Sequence, residues 1–312
     1  MRAARITSYG EASGIELADN LPTPEAGDNQ VLVEVTSVSI NPFDVTLMKG
    51  YLKDKMPLEL PYIPGGDFSG VVAKSPKDNS YKVGDKVFGQ AIVLNGGSGT
   101  FAEFCVANLQ NIALLPNGID PVGAGALPLV GASAVQAILE HVALTSGQKI
   151  LIHGGAGGIG HIAIQLAKAL GAYVATTVRL DDFTYVRSIG ADLVLDYKNQ
   201  RFEDQLRDFD AVFDTVGGEI TNKSFAVLKK GGTLVSMKGA PDQQLAQDFN
   251  IKAVGQATIT NTTRLNLLSR FIENKKIKVS VSKMFTLDEV REAFDYFEKE
   301  HFIGKVAIKI KV

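Results

Sequence analysis

The segment KILIHGGAGGIGHIAIQLAKALGA (149–172) constrains this chain more than any other. An apolar run ends in a dense glycine turn, and apolar residues then recur at helical spacing until Gly171 supplies a stop. This pattern reads as a strand feeding a helix, the opening of a βαβ unit in a parallel sheet. Gly155, Gly157 and Gly160 fit the spacing GxGxxG. On this reading Gly155 permits the tight turn, Gly157 lets backbone approach a pyrophosphate, and Gly160 lets the helix pack onto the strand. Ala156, Gly158 and Ile159 complete the turn, whose free amides at the helix start face the anion. A glycine turn alone can be merely structural, but here a strand precedes it and a helix follows.

The rhythm on either side divides the chain. From about Pro121 helical and strand-like segments alternate, beginning with ALPLVGASAVQAILEHVAL (126–144). AYVATTV (172–178), DLVLDY (192–197), DAVFDTV (210–216) and GTLVSM (232–237) are nearly continuous apolar runs, as parallel strands buried on both faces require. Before Pro121 the grammar is that of a β-rich module. VLVEVTSVSI (31–40) alternates, and FSGVVA (68–73), KVFGQAIV (86–93) and FAEFCVA (101–107) follow between turn-forming separators. From about residue 262, helices through RLNLLSRFIEN and LDEVREAFDYFEKE lead to a last strand, KVAIKIKV, which can close the first module. The expected fold class is α/β, a Rossmann doubly wound parallel sheet with a β-rich partner module.

Cofactor preference turns on the end of the second strand of the βαβ unit, where NAD binders place an acid roughly 20 residues on. Thr176, Thr177 and Val178 occupy that place, and Arg179 follows, a guanidinium suited to a 2′-phosphate. NADPH is therefore expected over NADH. The competing reading has Asp181 or Asp182 hold the ribose, although these acids are also placed to start the next helix. Tyr197 and Lys198, ending the third strand, are further phosphate-side candidates or simply strand-end residues.

Composition removes several function classes. Lys and Arg number 32 against 34 Asp and Glu, a net charge of −2 that offers no footprint for nucleic acid. No apolar run reaches the roughly 18 residues of a membrane span, and no apolar stretch follows the basic residues at the start, so a cytoplasmic protein is expected. The single cysteine, Cys105, excludes an internal disulfide and reads as a buried strand thiol. His141, His153, His161 and His301 show no chelating spacing, so no metal site is expected.

Landmarks along nearly the whole chain resemble the zinc-free quinone oxidoreductase branch of the medium-chain dehydrogenase/reductase superfamily, the branch of zeta-crystallin and the enone reductases. They include SINPFDVTLMKGYL (39–52), PYIPGGDFSGVV (61–72), KVGDKVFG (82–89), PLVGASAVQAI (128–138), GQKILIHGGAGGIGHIAIQLAK (147–168), FDTVGG (213–218) and GKVAIKI (304–310). The resemblance implies a GroES-like catalytic domain made from residues 1–122 and 262–312, a Rossmann NADP-binding domain at 123–261, an active cleft where they meet, and a homodimer through the Rossmann domain. It also implies that Ser133 and Met237-Lys238-Gly239 lie near the cofactor's phosphates and nicotinamide, and Val216 near its adenosine. Asn41 stands where zinc alcohol dehydrogenases of the superfamily carry a cysteine, and Gly66 where they carry a histidine. Zinc-dependent alcohol or aldehyde chemistry is disfavoured on that account.

Without a metal, hydrogen-bond donors must activate a substrate carbonyl. Asn41, on the turn after a strand, is the best placed, to polarise a substrate oxygen or hold the nicotinamide ribose; otherwise Asn41-Pro42 only starts a turn. By resemblance Tyr51 points into the substrate cleft, where its hydroxyl either donates a proton or, the favoured reading, lines an apolar wall. The expected activity is reduction of a small-molecule quinone or enone by direct hydride transfer from NADPH. A non-catalytic NADPH-binding, redox-sensing role is the alternative from a different class.

Overall fold

The structure, a computed structural model, describes residues 1–311. The chain divides into two compact units. One comprises Met1–Leu129, Thr260–Glu273 and the chain from Val279 onward; the other comprises Val130–Ile259 and Asn274–Lys278.

The first unit opens with β1 (Ala3–Ile6) antiparallel to β2 (Ile15–Ala18). Its main sheet begins with β3 (Gln30–Ser39), β4 (Asp67–Lys74), β5 (Lys86–Gln90), β6 (Phe104–Asn108) and β7 (Ile112–Leu114). Alternation in β3 becomes alternation of burial: Val31, Val33 and Val35 enter a core shared with Phe68, Val87 and Phe101. Two strands are shorter than their apolar runs. β5 stops at Gln90 because the Gly99 N–H folds back to donate to the Ala91 carbonyl at 2.8 Å. β6 starts only at Phe104 because the residues before it are taken by the N-terminal strand: Ala102 bridges to Ala3, and the Phe101 carbonyl accepts from the Ala4 N–H.

The second unit carries β8 (Lys149–His153), β9 (Tyr173–Val178), β10 (Leu193–Asp196), β11 (Phe209–Asp214), β12 (Leu228–Ser236) and β13 (Lys252–Gly255). They form one parallel sheet in the order β10-β9-β8-β11-β12-β13. Strand order reverses between β8 and β11, the doubly wound arrangement. After Lys149 every residue of β8 is buried, as expected of a central strand in a parallel sheet. β13 escapes the apolar pattern because it is a short, half-exposed edge strand. The helix Pro128–Val135 continues as wider π turns over Gln136–His141.

After the helix Thr262–Glu273, residues 274–278 belong to the second unit, and Gln165 is the clamp. Its amide donates to the Lys278 carbonyl and accepts from the Lys278 N–H, each at 2.9 Å. β14 (Val281–Thr286), the helix Val290–Lys299 and β15 (Lys305–Lys309) complete the first unit. β15 runs antiparallel to β3, pairing Ala307 with Ser39, so the two ends of the chain share one sheet. The helix packs its Phe294 edge-on to Phe101, ring centroids 5.7 Å apart.

Candidate functional site

β8 ends at His153 and the chain reverses at Gly154, whose φ of +75° is the left-handed conformation that favours glycine. The tight turn thus falls one residue before Gly155, a correction to the sequence reading. Gly155 is glycine for another reason: a Cβ there would lie 2.1 Å from Thr176 Oγ1 and 2.8 Å from Ile164 Cδ1. At Gly160 a Cβ would meet the Gly154 carbonyl oxygen at 2.1 Å, which is how closely the helix Gly160–Ala169 begins against the turn. Gly157 differs from both. It is exposed, and a Cβ would meet only the Gly154 carbonyl oxygen, at 3.3 Å.

The turn's donors are unevenly used. Gly154 and Gly155 N–H groups donate to the Thr177 carbonyl at 3.1 and 3.4 Å, and Gly157 N–H donates to Gly154 at 3.0 Å. The N–H groups of Ala156, Gly158 and Ile159 meet no backbone acceptor among the described residues, although Ala156 is only 5% exposed. Buried amides are seldom left so. Unpaired amides at a helix start, beside the exposed Gly157, fit an anion rich in acceptor oxygens, and a dinucleotide's pyrophosphate is such a group.

Because the sheet is parallel, the segments following each strand share its carboxyl edge with this turn. Arg179 follows β9 and Tyr197 follows β10, and the structure brings them together: Arg179 Nε donates to the Tyr197 hydroxyl at 3.2 Å. Tyr197 is half exposed and Lys198 exposed beside it. After β11, Val216 stands half exposed while its N–H and that of Gly217 donate to the buried Asp214 carboxylate at 2.8 and 3.0 Å. After β12, the Met237 N–H donates to the Asp214 carbonyl, and Lys238 and Gly239 are exposed.

Two candidates turn inward instead. Thr177 is buried, with its hydroxyl 2.9 Å from His153 Nδ1. The Ser224 hydroxyl lies 3.1 Å from His153 Nε2 and gives its proton to the Ile220 carbonyl. Ser224 must therefore accept from Nε2–H, which leaves Nδ1 to accept from Thr177. Burial holds this histidine down at about 4, against the pull of Asp214 and Glu203, so it is neutral. Ser133 is also buried, its hydroxyl 2.8 Å from that of Thr258.

In the first unit, Asn41 ends the turn after β3 and sits in a buried polar cluster that the sequence did not announce. Its Nδ2 donates to Asp67 at 2.9 Å, and its Oδ1 accepts from the Lys305 ammonium. The Asn41 N–H donates to the Asp44 carboxyl at 2.8 Å. Asp67 also accepts from Gln90 Nε2 at 2.9 Å and the Leu129 N–H at 3.0 Å, and Lys305 donates to the Ile40 carbonyl at 2.9 Å. Burial pushes Asp44 up to about 7, helped by the charge of Asp67 and opposed by the Asn41 N–H and Lys305. It pushes Asp67 up as well, against Lys305 and the donors around it, and Lys305 down, against both carboxylates. Tyr51, by contrast, stands on the turn after the helix Pro42–Met48 and is 73% exposed.

The chain is similar to known proteins over nearly its whole length. Residues 27–117 match the alcohol dehydrogenase GroES-like domain, and residues 189–308 match the zinc-binding dehydrogenase family. The 2-methylene-furan-3-one reductase of Solanum lycopersicum is 34% identical, over 99% of this chain and 79% of that protein. The NADPH-dependent alkenal/one oxidoreductase of Arabidopsis thaliana is 33% identical over the same shares. The solved quinone oxidoreductase of Coxiella burnetii superposes with a TM-score of 0.90 at 31% identity, covering 100% of this chain and 99% of its own. The chain belongs to the medium-chain dehydrogenase/reductase superfamily, in its quinone oxidoreductase and enone reductase branch. Among the described residues no group of three or more His, Cys, Asp or Glu side chains is placed to hold a metal ion. No helix among the described residues is long and apolar enough to cross a membrane.

Proposed function

We propose that this chain reduces α,β-unsaturated carbonyl compounds or quinones with NADPH. The observation that carries this reading is the glycine turn, where unpaired amides of Ala156, Gly158 and Ile159 share a sheet edge with the Arg179–Tyr197 pair. When bound, NADPH supplies a hydride to the acceptor. The chain's own residues do the rest. Turn amides hold the pyrophosphate, Arg179 with Tyr197 meets the 2′-phosphate, and Val216 and Met237-Lys238-Gly239 flank the cofactor at the following strand ends. The second N–H of Asn41 Nδ2 has no acceptor among the described residues, and we assign it to the acceptor's carbonyl oxygen, where charge grows as hydride arrives. For an enone, hydride adds at the β-carbon and a proton from solvent at the α-carbon. Thr177 and Ser133, engaged internally, support the site's shape rather than touch ligand. Tyr51 lines the acceptor's surroundings.

Relatives support the substrate class through their names, as reductases of an enone, of alkenals and of quinones. A solved mycobacterial relative, 26% identical with a TM-score of 0.87 over 99% of this chain and 100% of its own, is described as complexed with NADPH. The test is an acceptor panel with NADPH and NADH in parallel. Turnover of small enones or of phenanthrenequinone with NADPH is expected; NADPH binding without turnover of any acceptor would leave a redox-sensing module in its place. A cytoplasmic homodimer completes the reading. The outer edge of β13 is unpaired among the described residues and offers backbone for a second copy, and light scattering on the purified protein tests it.

A further inference from the structure

We propose that Lys305 and Asp67 are positioning residues that hold the Asn41 carboxamide in one orientation, leaving a single defined N–H for a substrate oxygen. A carboxamide has a donor end and an acceptor end of nearly the same shape, so shape alone does not fix which way it faces. Its two neighbours here do. The Lys305 ammonium has only protons to give and faces Oδ1, while the Asp67 carboxylate has only lone pairs and faces Nδ2 at 2.9 Å. Turning the amide over would set NH2 against an ammonium and oxygen against a carboxylate, with all three side chains buried. Asn41 is 2% exposed, Asp67 is fully buried and Lys305 is 3% exposed.

The clamp is itself anchored. Asp67 is fixed by Gln90 and by the Leu129 N–H, and Lys305 by the Ile40 carbonyl. On the backbone side, the Asn41 N–H is tied to Asp44 at 2.8 Å. What remains of the carboxamide is one N–H on Nδ2, and its direction follows from the other contacts. Asp67 and Lys305 open separate strands, β4 and β15, 238 positions apart in the chain (305 − 67), so nothing local requires them to flank one amide. An apolar pair would fill such a strand start without the cost of burying two charges.

This inference rests on the reading of Asn41 as the carbonyl donor, and a double-mutant cycle separates the two. Asn41→Ala, Lys305→Met and the double variant are compared for kcat and KM with a small enone, for NADPH affinity by fluorescence titration, and for melting temperature. Lys305→Met is expected to lower kcat about tenfold or more, in the range of a lost transition-state donor, and to leave the NADPH Kd within about twofold. In the Asn41→Ala background the same change should lower kcat no further, because the group it positions is gone. An equal factor in both backgrounds overturns the inference, as does wild-type kcat in Lys305→Met beside an impaired Asn41→Ala. Wild-type kcat in Asn41→Ala removes the donor reading and the inference together. If Lys305→Met does not fold, Asp67→Asn takes its place in the cycle, and side-chain signals of wild-type protein labelled with 15N-asparagine decide as well. One rigid set of Asn41 side-chain signals, as immobile in 15N relaxation as the backbone, supports the clamp, and a second set of signals or a mobile side chain overturns it.

Discussion

Gly155→Ala and Gly157→Ala add the same methyl group two residues apart, and the structure gives them opposite consequences. At residue 155 the new carbon would fall 2.1 Å from Thr176 Oγ1, 2.8 Å from Ile164 Cδ1 and 3.0 Å from Thr176 Cβ, all side chains of a packed interior. Thr176 cannot simply rotate away, because its hydroxyl donates to the Ile152 carbonyl at 2.7 Å. Overpacking of this kind costs about 1–3 kcal/mol. For a chain of this size that lowers the melting temperature by roughly 2–12 °C. At residue 157 the methyl meets only one carbonyl oxygen, at 3.3 Å, and φ lies outside the left-handed region. The lost flexibility of the unfolded chain returns about 0.4–1 kcal/mol, so stability should change little. The methyl instead occupies the space above the unpaired amides. Displacing one or two hydrogen bonds to a charged phosphate, at about 1.5–3 kcal/mol each, weakens NADPH binding by at least about tenfold. Thermal melting without cofactor and a fluorescence titration with NADPH read the two effects separately. Wild-type NADPH affinity in Gly157→Ala would refute the pyrophosphate reading, and an unchanged melting temperature in Gly155→Ala would refute the packing argument.

Arg179→Ala should weaken NADPH about tenfold while leaving NADH within about twofold, as expected for loss of a charge-assisted contact to a 2′-phosphate; equal loss for both cofactors removes Arg179 from that role. Two buried groups tilt stability with pH in opposite senses. Asp44, raised from 3.8 to about 7, keeps its proton in the fold, so its contribution is full below 3.8 and is lost as pH rises through 7. Asp44→Asn should flatten that decline in urea midpoints measured from pH 4 to 8, and an undiminished slope would disprove it. His153, lowered from 6.5 to about 4, resists the proton that the unfolded chain takes up, so its contribution is full above 6.5 and is lost as pH falls through 4. His153→Gln should remove that acid-side loss in the same series. Cys105 is wholly buried and its thiol pushed up by burial, so a disulfide reagent should label it only after unfolding, and rapid labelling of the native protein would contradict this.

Legibility followed the distance over which each feature is encoded. The glycine turn is local: strand, turn and helix lie within one stretch of chain, and only the placement of the left-handed residue, Gly154 rather than Gly155, needed coordinates. The sheet followed from its apolar runs, with β13 missed because four half-exposed residues at an edge carry no such run. Strands end short of their apolar runs where a rival partner intervenes, as where Gly99 turns back onto Ala91. Arg179 and Tyr197 each directly follow their own strand, and adjacent parallel strands β9 and β10 deliver them side by side.

The Asn41 cluster was not legible, and the reason is physical. Its members come from β4, β5, β15, the turn after β3 and the helix that follows it, and no spacing rule links β3 and β4 to β15, which meet only when the sheet forms. One weak sign was available. Asp67 heads the strand DFSGVVAK and Lys305 heads KVAIK, each a buried charge at the start of a run that is largely buried. A charge in that position is expensive to bury unless it meets an opposite charge or a full set of hydrogen bonds. Two such strand heads of opposite sign in one module therefore suggest that they converge. Here they converge through the two ends of a single carboxamide, which makes Asn41 the point where the polarity of that module is decided.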